Sequence, residues 1–503
     1  MRPNPNARDN VSKSKLDLRP WFNEVHDDEG NVRTHYKASY AVWQSLPGPK
    51  RKILLRQSKK LYLGDYSQDL LPRIITRSEF FFLRQGVEQR ARAIREFLHD
   101  YYARGRKWTR IIPPRTLNAI IGRNHEESVL GRLDPKTIAF QFGPDIIRDS
   151  QGNWKIVEDS TGTIGGVGDL VQGRDILFKL IPSFRKLFKD SNNPKEFYLE
   201  LAEHFQRKAK EHGGIALTYI APQKYRGDHE PQRLGEVFES AGIAWTSPDD
   251  KTKCLIIDET GVHLQTPRKK TRVGYLIFYS APETMDLSQS AWALNFLCRQ
   301  KRAKGTPAYT HACQQLSQAL KGNTIRAALL KKCVLSNFSP GVQFVNDKMF
   351  GLFVDRLIRS YLKEEPILRS IPTHSLAFRN QVGEWSVDKK ILKHLIQRKD
   401  QFVLKRVDED GGSGVWIGNK LSQKEFEKQI VFIKKEPEKY VFQEFQHLSV
   451  LENRIVDLRI HAHVDRENIL ISNTPWGRAN WIEDDGKVNL SSNGFSSPVV
   501  VTS

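Results

Sequence analysis

In the stretch FVLKRVDEDGGSGVWIG a hydrophobic strand delivers Lys405, and after five residues the turn Gly411, Gly412, Ser413 and Gly414 leads into a second strand. Glycines permit the positive φ angles that aim consecutive backbone N–H groups at one anion, and the lysine adds a point charge to the same phosphates. The order is that of a strand-loop-strand phosphate clamp. It is not the strand-loop-helix phosphate loop, because the lysine precedes the glycines and no GK[ST] follows. A GGSG turn alone is as often an ordinary hairpin loop.

Neighbouring segments add further chemistry. KYVFQEFQHL offers a strand ending in Gln443, Glu444 and Phe445, suited to pairing a purine edge with backbone groups against apolar walls. IVDLRIHAHV alternates, with Val456, Leu458, Ile460, Ala462 and Val464 on one face and Asp457, Arg459, His461 and His463 on the other. One face reads as core and the other as lining something polar. An arginine on such a half-buried face needs an anionic partner, which makes Arg459 a functional candidate. His461 and His463 read as strand residues rather than metal ligands, because neither a cysteine nor a third histidine is close in sequence. Upstream, Asp347 and Lys348 open a predicted long helix whose apolar stripe is Phe350, Val354, Leu357 and Tyr361. A lysine at a helix start opposes the dipole, so Lys348 is either solvated or set against a phosphate. VNLSSNGFSSP near the end of the chain, with Asn489 and Asn493, can bind a metal-bridged phosphate or simply make turns.

The elements that must position these residues are legible in part. DIIRD and WKIVED read as strands joined at Ser150, Gln151 and Gly152, which places Asp145 near Glu158. After Glu158 come Asp159, Ser160 and the glycine run TIGGVGDL. Phe82, Val87, Ala91, Ile94 and Leu98 recur at helical spacing from Glu79 to Tyr102. IALTYIAP, PQRLGEVFESAGI and CLIIDE suggest a parallel strand-helix-strand unit, and Ser422 with Glu425 forms the reciprocal capping pair that starts a helix.

At 503 residues the chain is long enough for two to four domains, and 39% hydrophobic with 27% charged residues is a globular composition. A formal charge of +21 favours an anionic partner. The basic runs PKRK and TPRKKTR are too dispersed to make a recognisable nucleic-acid module. Cys254, Cys298, Cys313 and Cys333 lack CxxC or zinc spacing, which points to reduced thiols and a cytoplasmic location. The polar amino-terminal stretch lacks the apolar core of a secretory signal, and no run approaches a membrane span.

Taken in order from about Pro72, PRIITRSEFFFLRQGVEQRARAIREFLHDYY, GPDIIRDSQGNWKIVED, VNDKMFGLFVDRLIRSYLKEEPILRSIPTH, FVLKRVDEDGGSGVWIG, VDLRI and NLSSNGF resemble the circularly permuted ATP-grasp proteins of type 2. The resemblance implies an α/β fold of α+β subdomains with an inserted Rossmann-like α/β domain. The expected divisions are a basic, partly mobile arm (1–65), a permuted segment with metal-ligand strands (66–175), the insert (176–335) and the nucleotide-binding subdomains (336–503). It further implies ATP and Mg²⁺ as cofactors. Lys348 and Lys405 would hold phosphates under a flap of Gly411, Gly412, Ser413 and Gly414, with Gln443, Glu444 and Phe445 as adenine hinge and Asn489 and Asn493 also at the nucleotide. Arg459 and Arg478 would face the transferred phosphate, and Asp145, Glu158 and Ser160 the metal. The implied reaction joins a carboxylate donor to an amine acceptor, a peptide or protein tail among the candidates, with release of ADP and phosphate. An ATP-grasp phosphotransferase or a catalytically degenerate ATP-binding protein is the alternative reading. Two positions depart from the family pattern: Ser160 replaces an asparagine ligand and Gly162 an arginine.

Overall fold

A computed structural model describes residues 21–62, 66–124, 133–162, 164–220, 230–247, 250, 252–279, 325–379, 384–407, 409, 412–484, 486–490 and 493–502. Gly411, Cys298 and Cys313 lie outside the described residues.

The carboxylate strands form as the sequence suggests. Asp145–Arg148 and Trp154–Glu158 pair antiparallel, with Asp145 opposite Glu158. Asp149 closes the turn by accepting the backbone N–H groups of Gln151 and Asn153, and Gly152 supplies the left-handed residue at φ 82°. These strands then pair with a segment some 300 residues later in the chain, as Asp145–Arg148 lies against Arg454–Arg459. The central sheet runs Arg369–Ser370, Trp154–Glu158, Asp145–Arg148, Arg454–Arg459, Trp476–Trp481, Phe495–Ser497. A second, antiparallel sheet faces it, in the order Thr373–Ser375, Tyr440–Glu444, Phe402–Arg406, Val415–Ile417.

The long helix Arg77–Tyr102 shares one hydrophobic core with Ile146, Ile156 and Leu458 of the central sheet and starts with a capping box made by Thr76 and Glu79. Its buried stripe contains Val87, Ala91, Ile94 and Leu98, but Phe80 and Leu83 fill the first turn, leaving Phe82 41% exposed. Arg90 on this helix is fully buried. Its Nε and Nη2 donate to both oxygens of Asp159 at 2.7 and 2.6 Å, and its Nη1 to Asp355 at 2.7 Å. Asp159 is thereby tied to the helix. Arg90→Ala would leave the buried Asp159 uncompensated and the partly exposed Asp355 without its arginine, so a loss of about 3–5 kcal/mol is expected in chemical denaturation.

Between Pro194 and Ser336 lies the inserted α/β unit. Ile215–Tyr219 pairs in parallel with Ala244–Thr246 and Lys270–Phe278, and helices Pro194–Glu211 and Glu230–Ser240 cover the sheet. CLIIDE departs from the sequence reading: Cys254–Asp258 is one arm of an antiparallel hairpin with Gly261–Gln265. Gly261 at φ 130° explains the turn, for DETG is a hairpin connection.

Two further expectations are corrected. After Asn346 there is no continuous helix: Lys348–Gly351 and Val354–Leu357 are single turns followed by a π turn at Ile358–Leu362. The segment read as a mobile arm is folded from Trp21 onward, with Val25, Tyr36, Trp43 and Leu54 buried beside Leu177, Phe184 and Val456. Aromatic and aliphatic residues at helical spacing in Lys37–Gln44 and Gly48–Leu61 are what bury it.

Candidate functional site

A cavity of about 590 Å³ opens between the two facing sheets, with the glycine turn after Glu158 and the end of the insert closing one side. That volume is in the range of sites for drug-sized and cofactor-sized ligands. Among its lining residues are Asp145, Glu158, Ser160, Lys348, Lys405, Gly412, Gln443, Glu444, Phe445, Arg459, Arg478 and Asn489. Segments from three distant parts of the chain therefore converge there.

Lys405 enters on the strand Phe402–Arg406 and is 6% exposed. Among the described residues no carboxylate lies within ion-pair distance of it. Burial pushes its ammonium pKa down to about 8, against the upward pull of Glu158 and with a further downward push from Lys348. Lys348 places Nζ 3.2 Å from Glu158 Oε1 and donates to the Glu409 carbonyl at 2.5 Å. Asp347 caps this turn by accepting the Met349 N–H, and Arg123 neutralises it at 3.0 Å.

The carboxylates are held by arginines. Arg459 approaches Asp145 Oδ1 with Nε at 2.8 Å and Nη2 at 2.6 Å, and Arg478 Nη2 lies 2.9 Å from Oδ2. Burial would raise the pKa of Asp145, but the two guanidiniums override it and take the group down to about 2. Arg478 also forms a bidentate pair with Asp457 and donates to Asn489 Oδ1 at 3.0 Å. Asp457, facing Arg478 across adjacent strands, belongs to this network, and its alternation with Arg459 in VDLR was the available signal. His461 is neutral because burial takes it down to about 3, and Nε2 donates to the Gly165 carbonyl at 3.1 Å.

The glycine run after Glu158 is a packed turn. Gly166 has φ 97° and a Cβ there would lie 2.0 Å from the Trp476 ring, so only glycine fits. Glu230 accepts the N–H groups of Gly166 and Gly168 and the hydroxyl of Tyr279. Neither Glu230 nor Tyr279 carried a sequence signal, since both come from the insert. Gly162 is likewise left-handed at φ 91°.

Other positions are less direct. Gln443 donates to the Val157 carbonyl and Thr373 hydroxyl, while the N–H groups of Glu444 and Phe445 are taken by the carbonyls of Pro372 and Gln401. Ser413 is exposed and bonds Glu409; Gly412 and Gly414 have φ 78° and 65°. Lys487 Nζ reaches the Gly412 carbonyl at 3.3 Å and ties this turn to the carboxyl-terminal segment. Asn493 does not belong to the cavity lining: it is an exposed turn residue at φ 64°.

Residues 72–219 and 313–477 match the family model of circularly permuted ATP-grasp type 2, and the chain belongs to that family. It is similar to a putative glutamate–cysteine ligase of Frankia alni, 26% identical over 90% of this chain and 50% of that one. A second from Frankia casuarinae is 26% identical over 89% and 50%. The chain thus spans about half the length of these curated relatives. An uncharacterized protein of Mycobacterium leprae is 23% identical over 94% of this chain and 81% of its own. Among solved structures, a glutathione synthetase-like effector of Globodera pallida in its apo form superposes with a TM-score of 0.54 at 11% identity, covering 93% of this chain and 98% of that one. That similarity is one of fold. No helix among the described residues is long and apolar enough to cross a membrane.

Proposed function

We propose that this member of the circularly permuted ATP-grasp type 2 family is an ATP- and Mg²⁺-dependent carboxylate–amine ligase acting through an acyl phosphate. The observation that carries the reading is the buried ammonium of Lys405, without an ion-pair partner among the described residues, on one wall of a cavity whose opposite wall presents Asp145 and Glu158 on adjacent strands. A buried cation calls for an anion, and two hard-oxygen carboxylates with room for water suit Mg²⁺. The residues present therefore fit both groups.

Lys348 and Lys405 would bind the phosphates of ATP, beneath the turn Gly412–Gly414. Apolar walls from Val157, Val403 and Ile417 would take the base; the Glu444 and Phe445 N–H groups are already donated, and the Gln446 side chain already bonds the Phe445 carbonyl and Lys155. Asp145, Glu158 and Ser160 would hold the metal, which would supply charge neutralisation to the phosphates. Arg459 and Arg478, now paired with Asp145, would turn part of their charge to the transferred phosphoryl group. The substrate carboxylate takes the γ-phosphoryl group to give an acyl phosphate and ADP. The amine then attacks the carbonyl carbon, expels phosphate and loses a proton.

The test is ADP and phosphate release over amino acids, polyamines and peptides, with products identified by mass spectrometry. Free phosphate in step with ADP is expected. Phosphate retained on the product would make the protein a phosphotransferase, and background ADP release with every class would sink the ligase reading.

Ser160 gives a second measurement. A hydroxyl is a weaker magnesium donor than an amide carbonyl, so Ser160→Asn should lower the half-saturating Mg²⁺ concentration several-fold, on the order of 1 kcal/mol. Restoring arginine at 162 should fail to raise activity, because the position is left-handed and its Cβ would press Phe338 at 3.3 Å.

A further inference from the structure

Away from the cavity, three potential metal ligands from separate elements meet in the interior. His204 comes from the helix Pro194–Glu211, His463 from the strand Ala462–Val464, and Asp465 follows that strand. One ligand atom from each lies within 4.8 Å of the others. His204 Nε2 is 2.8 Å from Asp465 Oδ2, whereas His463 Nε2 is 4.0 Å from the same oxygen. The longer distance is beyond a hydrogen bond. His463 is 0% exposed and among the described residues its Nε2 has no hydrogen-bond partner, an arrangement that leaves a buried polar atom unsatisfied.

We propose that His204, His463 and Asp465 form a structural site for a first-row divalent cation, Zn²⁺ foremost. Two imidazoles and a carboxylate are a donor set suited to zinc, with one water as the fourth ligand. Bonds of about 2.0–2.2 Å place tetrahedral ligands roughly 3.4 Å apart, so His463 and Asp465 need to close by less than about 1 Å. The surroundings already resemble an outer shell. Asp465 Oδ1 accepts the backbone N–H groups of Glu467 and Asn468, which fixes the carboxylate. Gln141 Nε2 lies 3.3 Å from His463 Nδ1, and a flip of that amide would offer its oxygen to an N–H there. Phe205 packs edge-on against the His463 ring at 4.9 Å, holding its plane.

One contact opposes the cation and sharpens the test. Arg207 Nη2 lies 3.1 Å from His204 Nδ1, so without metal Nδ1 accepts and Nε2 carries the proton that a cation must replace. Arg207 is half exposed and also pairs with Glu211 at 3.0 Å, which gives it somewhere to go. The site would clamp the insert's helix to the strand that runs back through His461 to Arg459.

Chelator-treated full-length protein is dialysed against Zn²⁺ with excess Mg²⁺ present to occupy harder oxygen sites, and bound zinc is measured. One equivalent per chain is expected, with tetrahedral Co²⁺ absorption on substitution and a higher Tm in Zn²⁺. His463→Gln and Asp465→Asn should each weaken binding roughly 100-fold or more, and Arg207→Gln should strengthen it several-fold. Zinc uptake by the wild type no greater than by His463→Gln and Asp465→Asn, with an unchanged Tm, would overturn the site and leave a hydrogen-bonded cluster.

Discussion

Lys405→Met is expected to lower ATP-dependent turnover roughly 100- to 1,000-fold while leaving the fold at least as stable. The two halves of that expectation have one cause. Lys405 is buried in a strand whose neighbours are Val441 and Val415, with no carboxylate in contact among the described residues. Holding an ammonium at a pKa of about 8 instead of about 10.4 costs about 3 kcal/mol at neutral pH. Methionine keeps the shape and removes that cost. Because the folded-state pKa lies below the unfolded one, the unfolded chain binds more protons between about pH 8 and pH 10.4. The penalty is therefore complete below about pH 8 and fades as pH rises through that window. Wild-type stability should gain on Lys405→Met from about pH 7 to about pH 9.5, as read from denaturation midpoints. Nucleotide affinity should move the opposite way, weakening above about pH 8 as the ammonium is lost. A variant that turned over at wild-type rate and bound nucleotide equally well would remove Lys405 from the site.

How much of this was legible depended on how local the signal was. Asp145 opposite Glu158 followed from a short hairpin, and Lys405 ahead of its glycine turn from adjacent residues, because a turn and two strand faces leave a direct pattern. Asp159 was adjacent to Glu158 but has another task, since its partner Arg90 lies 69 residues away on a helix whose apolar stripe alone could be read. The broken helix after Lys348 was not legible, because the same apolar spacing serves one long helix or several turns packed in a crowded core. Cys254–Asp258 looked like a parallel strand until its partner Gly261–Gln265 was placed beside it. Glu230 and Tyr279 reach the glycine turn from the insert, and His204 reaches His463 from 259 positions earlier. Such meetings are decided by topology, and a single chain carries no local trace of them. The family resemblance supplied the order of the strands across the permutation, which neither spacing nor composition contains.

Asp145→Asn should abolish the magnesium dependence of nucleotide binding and reduce turnover by about 1,000-fold, at a substantial loss of stability. The amide keeps an acceptor for Arg459 but not the charge that two guanidiniums share at 2.6 and 2.9 Å. Removing one partner of such a buried network costs about 3–5 kcal/mol. Arg478 retains Asp457, so the damage should centre on Arg459. Stability and metal binding can be separated by comparison with Glu158→Gln, which breaks the ion pair to Lys348, a residue that still donates to the Glu409 carbonyl, and removes the charge that pulls Lys405 upward. Both variants should lose the tightening of nucleotide by Mg²⁺ in calorimetry, but only Asp145→Asn should melt markedly earlier. Acid provides an independent check. The Asp145 pKa is held below its unfolded value, so its stabilisation is present above about pH 4 and disappears as pH falls toward about 2. The wild type should show that acid loss and Asp145→Asn should not. If Mg²⁺ still tightened nucleotide equally in both variants, these carboxylates would be structural counter-ions to the arginines, and the metal would have to be held elsewhere in the cavity.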